Sequence, residues 1–195
     1  MKRVNDHLCK TLIAAAAALL MAMQASAREL NYTFVEAGYS QAEIDGEDFT
    51  GVDLEINWAL NDELYFVGQT ATLDGDGSDV DDIELDAWFL GAGTRFTLTE
   101  NLDLNTEAGY IERDEFDDGD ADSENGYGIN VALRGIANRL EYDAELSLAS
   151  IDESNETSLT GTVRYYLLEA IALGAGYEWH DSDRDVFRID LRVKF

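Results

Sequence analysis

The chain contains no proline, and its 195 residues include a single cysteine. Proline cannot donate to a β-ladder, so its absence is compatible with a chain built of strands throughout. One cysteine, Cys9, excludes an intramolecular disulfide. It precedes the first apolar run instead of following it, so it is not placed as a lipid-anchor cysteine. Cations are scarce: 13 Lys and Arg stand against 41 Asp and Glu, a formal net charge of −28. That deficit argues against nucleic acid as a partner, because phosphate contacts need Lys and Arg.

Long apolar runs are missing too, with one exception. Lys2, Arg3 and Lys10 form a basic region, Thr11–Met23 is apolar, and Ala25-Ser26-Ala27 supplies a small-residue cleavage pattern. That order is a secretory leader. The run is also short of the roughly 20 residues of a spanning helix. Residues 1–27 are therefore expected to be cleaved, and 28–195 to form one domain. The leader would take Lys2, Arg3, Lys10 and Asp6 with it, leaving 10 basic and 40 acidic residues.

Such a charge also suits disorder. The pattern of the remaining chain argues against that. Beyond the leader, apolar residues recur at every second position, the period of a strand. Val52, Leu54, Ile56 and Trp58 alternate with Asp53, Glu55 and Asn57. Leu140, Tyr142, Ala144, Leu146 and Leu148 alternate with Glu141, Asp143, Glu145 and Ser147. The last segment, VFRIDLRVKF, sets Phe187, Ile189, Leu191, Val193 and Phe195 against Arg188, Asp190, Arg192 and Lys194. Ten strands are expected, near 30–41, 49–59, 64–73, 83–98, 102–113, 126–136, 140–150, 157–166, 171–180 and 186–195. The third shows its two faces least clearly. Between them, very short connections (59–63, 99–101, 137–139, 168–169) alternate with longer acidic ones (42–48, 74–82, 114–125, 151–156, 181–185).

Ten antiparallel strands with one apolar face must cover that face. A secreted soluble barrel, lipocalin-like, would turn it inward; a membrane barrel would turn it outward. Three features favour the membrane. The strands are about 9–11 residues long, the length of a tilted crossing. Short turns and long connections alternate strictly. Aromatics gather at both strand ends: Trp58, Tyr65, Phe66, Phe96, Tyr165, Tyr166 and Phe195 at the short-turn rim, and Phe49, Trp88, Tyr110, Tyr127, Tyr177 and Trp179 at the other. The expected fold is all-β: a closed antiparallel transmembrane barrel of ten strands, with eight as the alternative.

The leader, the first strand NYTFVEAGYS, the alternating strands and the terminal aromatic strand together resemble the small bacterial outer-membrane β-barrel proteins. The OmpX and OmpA-barrel class is the nearest type. The run Tyr32-x-Phe34-Val35-Glu36-x-Gly38-Tyr39 is similar to a subset of small acidic members. The resemblance spans the mature chain, as pattern more than motif. It implies an outer-membrane location, probing of the terminal strand (Phe187, Ile189, Leu191, Val193, Phe195) by the barrel-insertion machinery, and contact with outer-membrane lipid and lipopolysaccharide as a monomer. Strand number departs from it: OmpX-type barrels have eight.

With the apolar face outward, the polar face lines the lumen. It carries Arg95, Arg113, Arg134, Arg164, Arg188, Arg192 and Lys194 together with Asp53, Glu55, Asp103, Glu107, Glu141, Asp143, Glu145, Glu178 and Asp190. An Arg facing lipid would cost about 2–4 kcal/mol at the midplane, so clustering of the cations on one phase itself favours this choice. Buried charges must pair, so an Arg–carboxylate network is expected to fill the lumen. The leading functional expectation is a structural and surface-interaction scaffold with acidic outer loops; the alternative is a small cation-preferring pore.

No cofactor is expected. The stretch DGDGSDVDD places Asp74, Asp76 and Asp82 near calcium-loop spacing, with Asp79 where that loop requires Gly and Leu85 where it requires Glu. Weak Ca²⁺ or Mg²⁺ binding at the acidic loops is the residual metal reading. No enzyme is expected either. Glu178 and His180 share a face at a strand end, as an acid–base dyad would, and ten strands is also the number of the omptin-type proteases. A second acidic pair matching that family is missing.

Overall fold

The computed structural model describes residues 30–75, 83–117, 120–152, 154–181 and 184–195. The expected leader lies outside them. Ten antiparallel strands close into one barrel: β1 (Phe34–Ile44), β2 (Glu47–Ala59), β3 (Leu64–Gly75), β4 (Ile83–Thr99), β5 (Leu102–Asp117), β6 (Asp120–Ala137), β7 (Leu140–Ile151), β8 (Ser154–Tyr166), β9 (Ile171–His180) and β10 (Arg184–Lys194). Each strand pairs with its sequence neighbours, and β1 pairs with β10. The alternative of eight strands is excluded. Closure leaves no sheet edge, so ladder hydrogen bonding is satisfied within the chain.

Register fixes the two faces. Glu36 stands between Glu55 of β2 and Arg192 of β10, and all three point inward. One residue along, Ala37 lies beside Leu54 and Leu191, which are exposed. The exterior is an apolar surface of Val52, Ile56, Leu90, Ile129, Leu146 and Ile189, among others. The interior holds most of the described arginines. The fold is thus inverted relative to a soluble barrel, whose exterior would be polar.

Most strands are longer than expected, and four of the acidic connections are correspondingly short; in the fifth, residues 76–82 lie outside the described residues. The stretch 42–48 is strand apart from Asp45 and Gly46, which turn the chain with positive φ at both positions. That is the geometry of a tight hairpin turn, for which Asp-Gly is a preferred pair. The stretches 114–125, 151–156 and 181–185 are likewise strand to within two or three residues of the tip. Their acidity marks solvent-exposed strand, where a carboxylate pays no burial cost, and not irregular backbone. The difference between the rims lies in overhang: β4, β5 and β6 project furthest at the rim away from the termini. Loop length, used above to favour the membrane, therefore does not distinguish the rims in the way expected. Asp74 is in β3; Asp76, Asp79 and Asp82 lie outside the described residues.

The aromatic rims are also corrected. Trp58, Phe66, Phe96, Tyr165 and Phe195 are exposed near the terminal rim, and Tyr127, Tyr177 and Trp179 near the far one. Trp88, Tyr110 and Tyr127 form an external cluster with centroids 5.3 and 5.9 Å apart. Phe49, Tyr65 and Tyr166 instead point inward and are buried. Tyr65 and Tyr166 pack at the terminal end of the lumen with Leu30 nearby, and Phe49 packs with Ala42, Leu73 and Val186 on one side of the far end.

Candidate functional site

The lumen has a floor of packed side chains, an open middle and a charged mouth. The floor begins with four residues, Leu30 to Thr33, which precede β1 and turn under the terminal rim. The expected first strand begins at residue 30, whereas the ladder starts at Phe34; Tyr32, two residues before it, keeps the inward phase and is buried. Its hydroxyl donates to Asp103 (3.0 Å) and Asn105 (2.8 Å). The guanidinium groups of Arg95 and Arg134 each sit 4.7 Å from its ring centroid. Arg134 also donates to the Asn31 carbonyl at 3.1 Å. Leu30 packs among Tyr32, Tyr65 and Ile136.

Above this strap lies an ionic plug. Glu36 and Glu141 are both 0% exposed. Arg164 donates to Glu36 through Nε (2.7 Å) and Nη2 (2.8 Å), and Arg192 through Nε at 2.6 Å. Glu141 accepts from Arg192 (2.7 Å), from Arg134 Nε (3.1 Å) and from the Tyr166 hydroxyl (2.6 Å). Asp190 lies 3.2 Å from Arg164 Nε. Arg192 stacks on Phe34, 3.6 Å from its centroid. These bonds join β1, β6, β7, β8 and β10. Isolated buried charges would be costly; bidentate pairing of this kind is what makes their burial tolerable. Glycine makes room for it. A Cβ at Gly174 would overlap the Asp190 carboxylate and come within 2.7 Å of Arg164 Cγ.

Over the plug is a cavity of about 290 Å³. Glu55, Glu107, Asp143 and Glu145 line it. Glu107 accepts from Tyr65 (2.7 Å) and Asn130 (3.2 Å), and Glu55 from Asn57 (2.7 Å). Arg188 bridges floor and cavity, 3.3 Å from Asp53 and 3.7 Å from Glu36. At the mouth, Arg113 meets Glu156 at 2.5 Å, and His180 Nε2 lies 2.8 Å from Glu178. That histidine is inside the barrel wall, 6% exposed, and Nδ1 has no hydrogen-bond partner.

The predicted lumen residues thus separate into groups. Arg134, Arg164, Arg192 and Glu141 meet in the plug. Arg188 meets Asp53, and Arg113 meets a residue not anticipated, Glu156. Lys194 covers the Tyr166 ring at 4.0 Å, and Arg95 donates to the Asp62 carbonyl at the terminal rim. Glu55, Glu107, Asp143 and Glu145 make no ion pair among the described residues, although Asp143 stands beside Arg134 in the strand register. Sequence reasoning missed Glu36, the hub of the plug, and Arg184 at the mouth. Strand alternation would have placed both on the lumen face. On the terminal strand, Phe187, Ile189 and Leu191 are exposed, Val193 is half-buried, and the Phe195 amide donates to the Thr33 carbonyl at 3.1 Å.

No protein-family model matches the chain, and no curated relative matches its sequence. Solved structures do match its shape. The NanC porin aligns at 12% identity with a TM-score of 0.52, over 83% of this chain and 99% of that one. The β domain of the Bordetella autotransporter BrkA aligns at 16% and 0.53, over 83% and 98%. An outer-membrane channel from Pseudomonas putida F1 aligns at 13% and 0.51, over 87% and 97%. The fold is that of the bacterial outer-membrane β-barrels. At these identities the likeness extends to strand architecture and not to lumen contents. What this barrel does has to be read from its own interior.

Proposed function

We propose that the chain is an outer-membrane barrel that acts as a structural and surface-interaction scaffold, with its terminal rim in the periplasm and its far rim outside. The plug carries this reading. Glu36, Glu141 and their arginines, with Tyr32 and Phe34, fill the lumen section above the terminal rim, and a narrow barrel filled by side chains does not conduct. The projecting ends of β4 and β5 carry Glu84, Asp86, Glu112 and Asp114 on the outer face, an anionic surface for contact with the environment. Lipid covers the apolar exterior, and the chain is a monomer. The exposed terminal strand ending in Phe195 is the segment presented to the insertion machinery. Ca²⁺ or Mg²⁺ would bridge rim carboxylates to lipopolysaccharide phosphates; calorimetry of the detergent-solubilised barrel showing no uptake at millimolar calcium removes that bridge. Planar-bilayer recording tests the main reading. Absence of conductance steps is expected; regular steps overturn it.

A second reading, a small cation-preferring pore, is favoured by one observation: the four cavity carboxylates without arginine partners. It requires the plug to part. Steps whose reversal potential follows the cation gradient would replace the scaffold with this pore.

A further inference from the structure

A carboxylate in a narrow lumen needs a counter-charge, and this lumen distributes its arginines unevenly. Arg134, Arg164 and Arg192 are committed to Glu36 and Glu141, Arg188 to Asp53, and Arg113 to Glu156. Glu55, Glu107, Asp143 and Glu145 form no ion pair among the described residues. They come from β2, β5 and β7 and face the same lumen space, where like charges meet. A structural plug would have no use for them.

Three further features describe what would satisfy them. Asn57 is 4% exposed; it gives its amide to Glu55 and leaves Oδ1 without a partner on the wall of the same cavity. That is a buried acceptor beside Glu55, so a donor is what this part of the wall lacks; the unpartnered donors of the same cavity, Arg184 Nε and Arg188 Nε, lie on β10. The carboxylates do not converge: no three acidic or histidine side chains among the described residues are placed to hold one metal ion. A ligand with two separated positive groups would reach carboxylates that do not gather around one ion. Finally, Ala71, Ala87, Phe89, Ile111 and Ala132 line the same space between the acids. The cavity thus offers separated anionic points joined by apolar wall.

We propose that the cavity binds a small aliphatic diamine, its ammonium groups on Glu107 and Glu145 with Glu55 and Asn57 alongside, and its methylene chain against the apolar wall. Each ammonium brings a positive charge and up to three donors to carboxylates that otherwise accept only from neutral groups, Tyr65 and Asn130 at Glu107 and Ser147 at Glu145, and methylene burial adds to the charge pairing. Entry is from the far rim, since the plug closes the other end. The site stands whether or not the plug ever opens.

The test is calorimetric titration of the folded, detergent-solubilised barrel with 1,4-diaminobutane, and in parallel with uncharged 1,4-butanediol. The expected result is saturable uptake of the diamine at one equivalent, weakened at least about tenfold in the Glu107→Gln/Glu145→Gln double variant and by high salt. Neither substituted residue belongs to the plug, and Gln is isosteric with Glu. Removing two mutually repelling charges should raise the melting temperature of the ligand-free variant, so loss of uptake with gain of stability marks a binding site. Glu55→Gln gives a second, milder variant if the double one fails to show the heat-modifiable gel shift of a folded barrel. Absence of saturable uptake by the wild type up to about 10 mM overturns the proposal, that being the weak limit of useful affinity. Undiminished uptake in the folded variants, or equal uptake of butanediol, overturns it as well.

Discussion

Replacing Glu36 by Gln removes the charge at the centre of the plug with little change of shape. In the wild type its two oxygens accept three charge-assisted hydrogen bonds, two from Arg164 and one from Arg192. Arg164 would retain Asp190 at 3.2 Å, and Arg192 would retain Glu141 at 2.7 Å. Three arginines, counting Arg134, would then share two carboxylates in a region that water does not reach. Removing one partner from a buried ionic group costs about 3–5 kcal/mol, because the remaining charge is left uncompensated. Asp53→Asn is the internal control. Its partner Arg188 is 26% exposed, so solvent screens the loss and about 1 kcal/mol or less is expected. Urea unfolding in lipid vesicles, followed by the fluorescence of Trp58, Trp88 and Trp179, measures both. The expected result is a large drop in midpoint for Glu36→Gln at unchanged slope, and a small one for Asp53→Asn. If Glu36→Gln lies within about 0.5 kcal/mol of wild type, the size of an ordinary surface substitution, the plug is not the stabilising element described above.

Tyr32→Ala should loosen the strap, since it removes a ring held by two hydroxyl hydrogen bonds and two stacked guanidinium groups; brief conductance openings absent from wild type are the readout in planar bilayers. Gly174→Ala should drive a methyl group into Asp190 and Arg164 and cost about 1–3 kcal/mol by overpacking, read as a lower urea midpoint. Val131→Arg, on the exterior of β6, should cost about 2–4 kcal/mol in bilayers if it sits at mid-depth, whereas lumen-facing Asn130→Arg should not carry a lipid-exposure penalty. Phe195→Ala should lower the yield of heat-modifiable barrel assembled in cells, and leave unchanged the midpoint of the fraction that does assemble.

Strand number and facing were legible in the sequence wherever lumen and exterior differ in polarity. On β7 the contrast of Glu141, Asp143 and Glu145 with Tyr142, Ala144 and Leu146 left one reading. The contrast fails at the lumen floor. Phe34 shares the inward phase with Glu36, and Tyr65 and Val67 share it on β3, so apolar residues occur on both faces. Glu36 was overlooked for that reason, and β3 was the hardest strand to orient. Strand ends were misplaced for a different cause. Acidic composition reads as loop, whereas Asp45-Gly46 already spells a two-residue hairpin turn within it. The pairing of particular charges was beyond sequence reasoning altogether. Alternation states that Arg188 and Arg192 face inward, but only barrel closure decides that one meets Asp53 and the other Glu36 and Glu141.

The plug also has a position in time. Glu36 and Arg192 are register partners across the β1–β10 joint, the seam at which the ring closes. Their contact spans 156 residues of chain, and that of Glu36 with Arg164 spans 128. Contacts between such distant segments bear the largest loop-closure cost, so they form after the local hairpins. The same contacts must break before β1 can be prised from β10. Interactions made late in folding slow unfolding more than they speed folding. The joint is therefore riveted from inside, and the working life of the barrel is governed by how slowly that rivet is drawn, a property of rates more than of equilibrium stability.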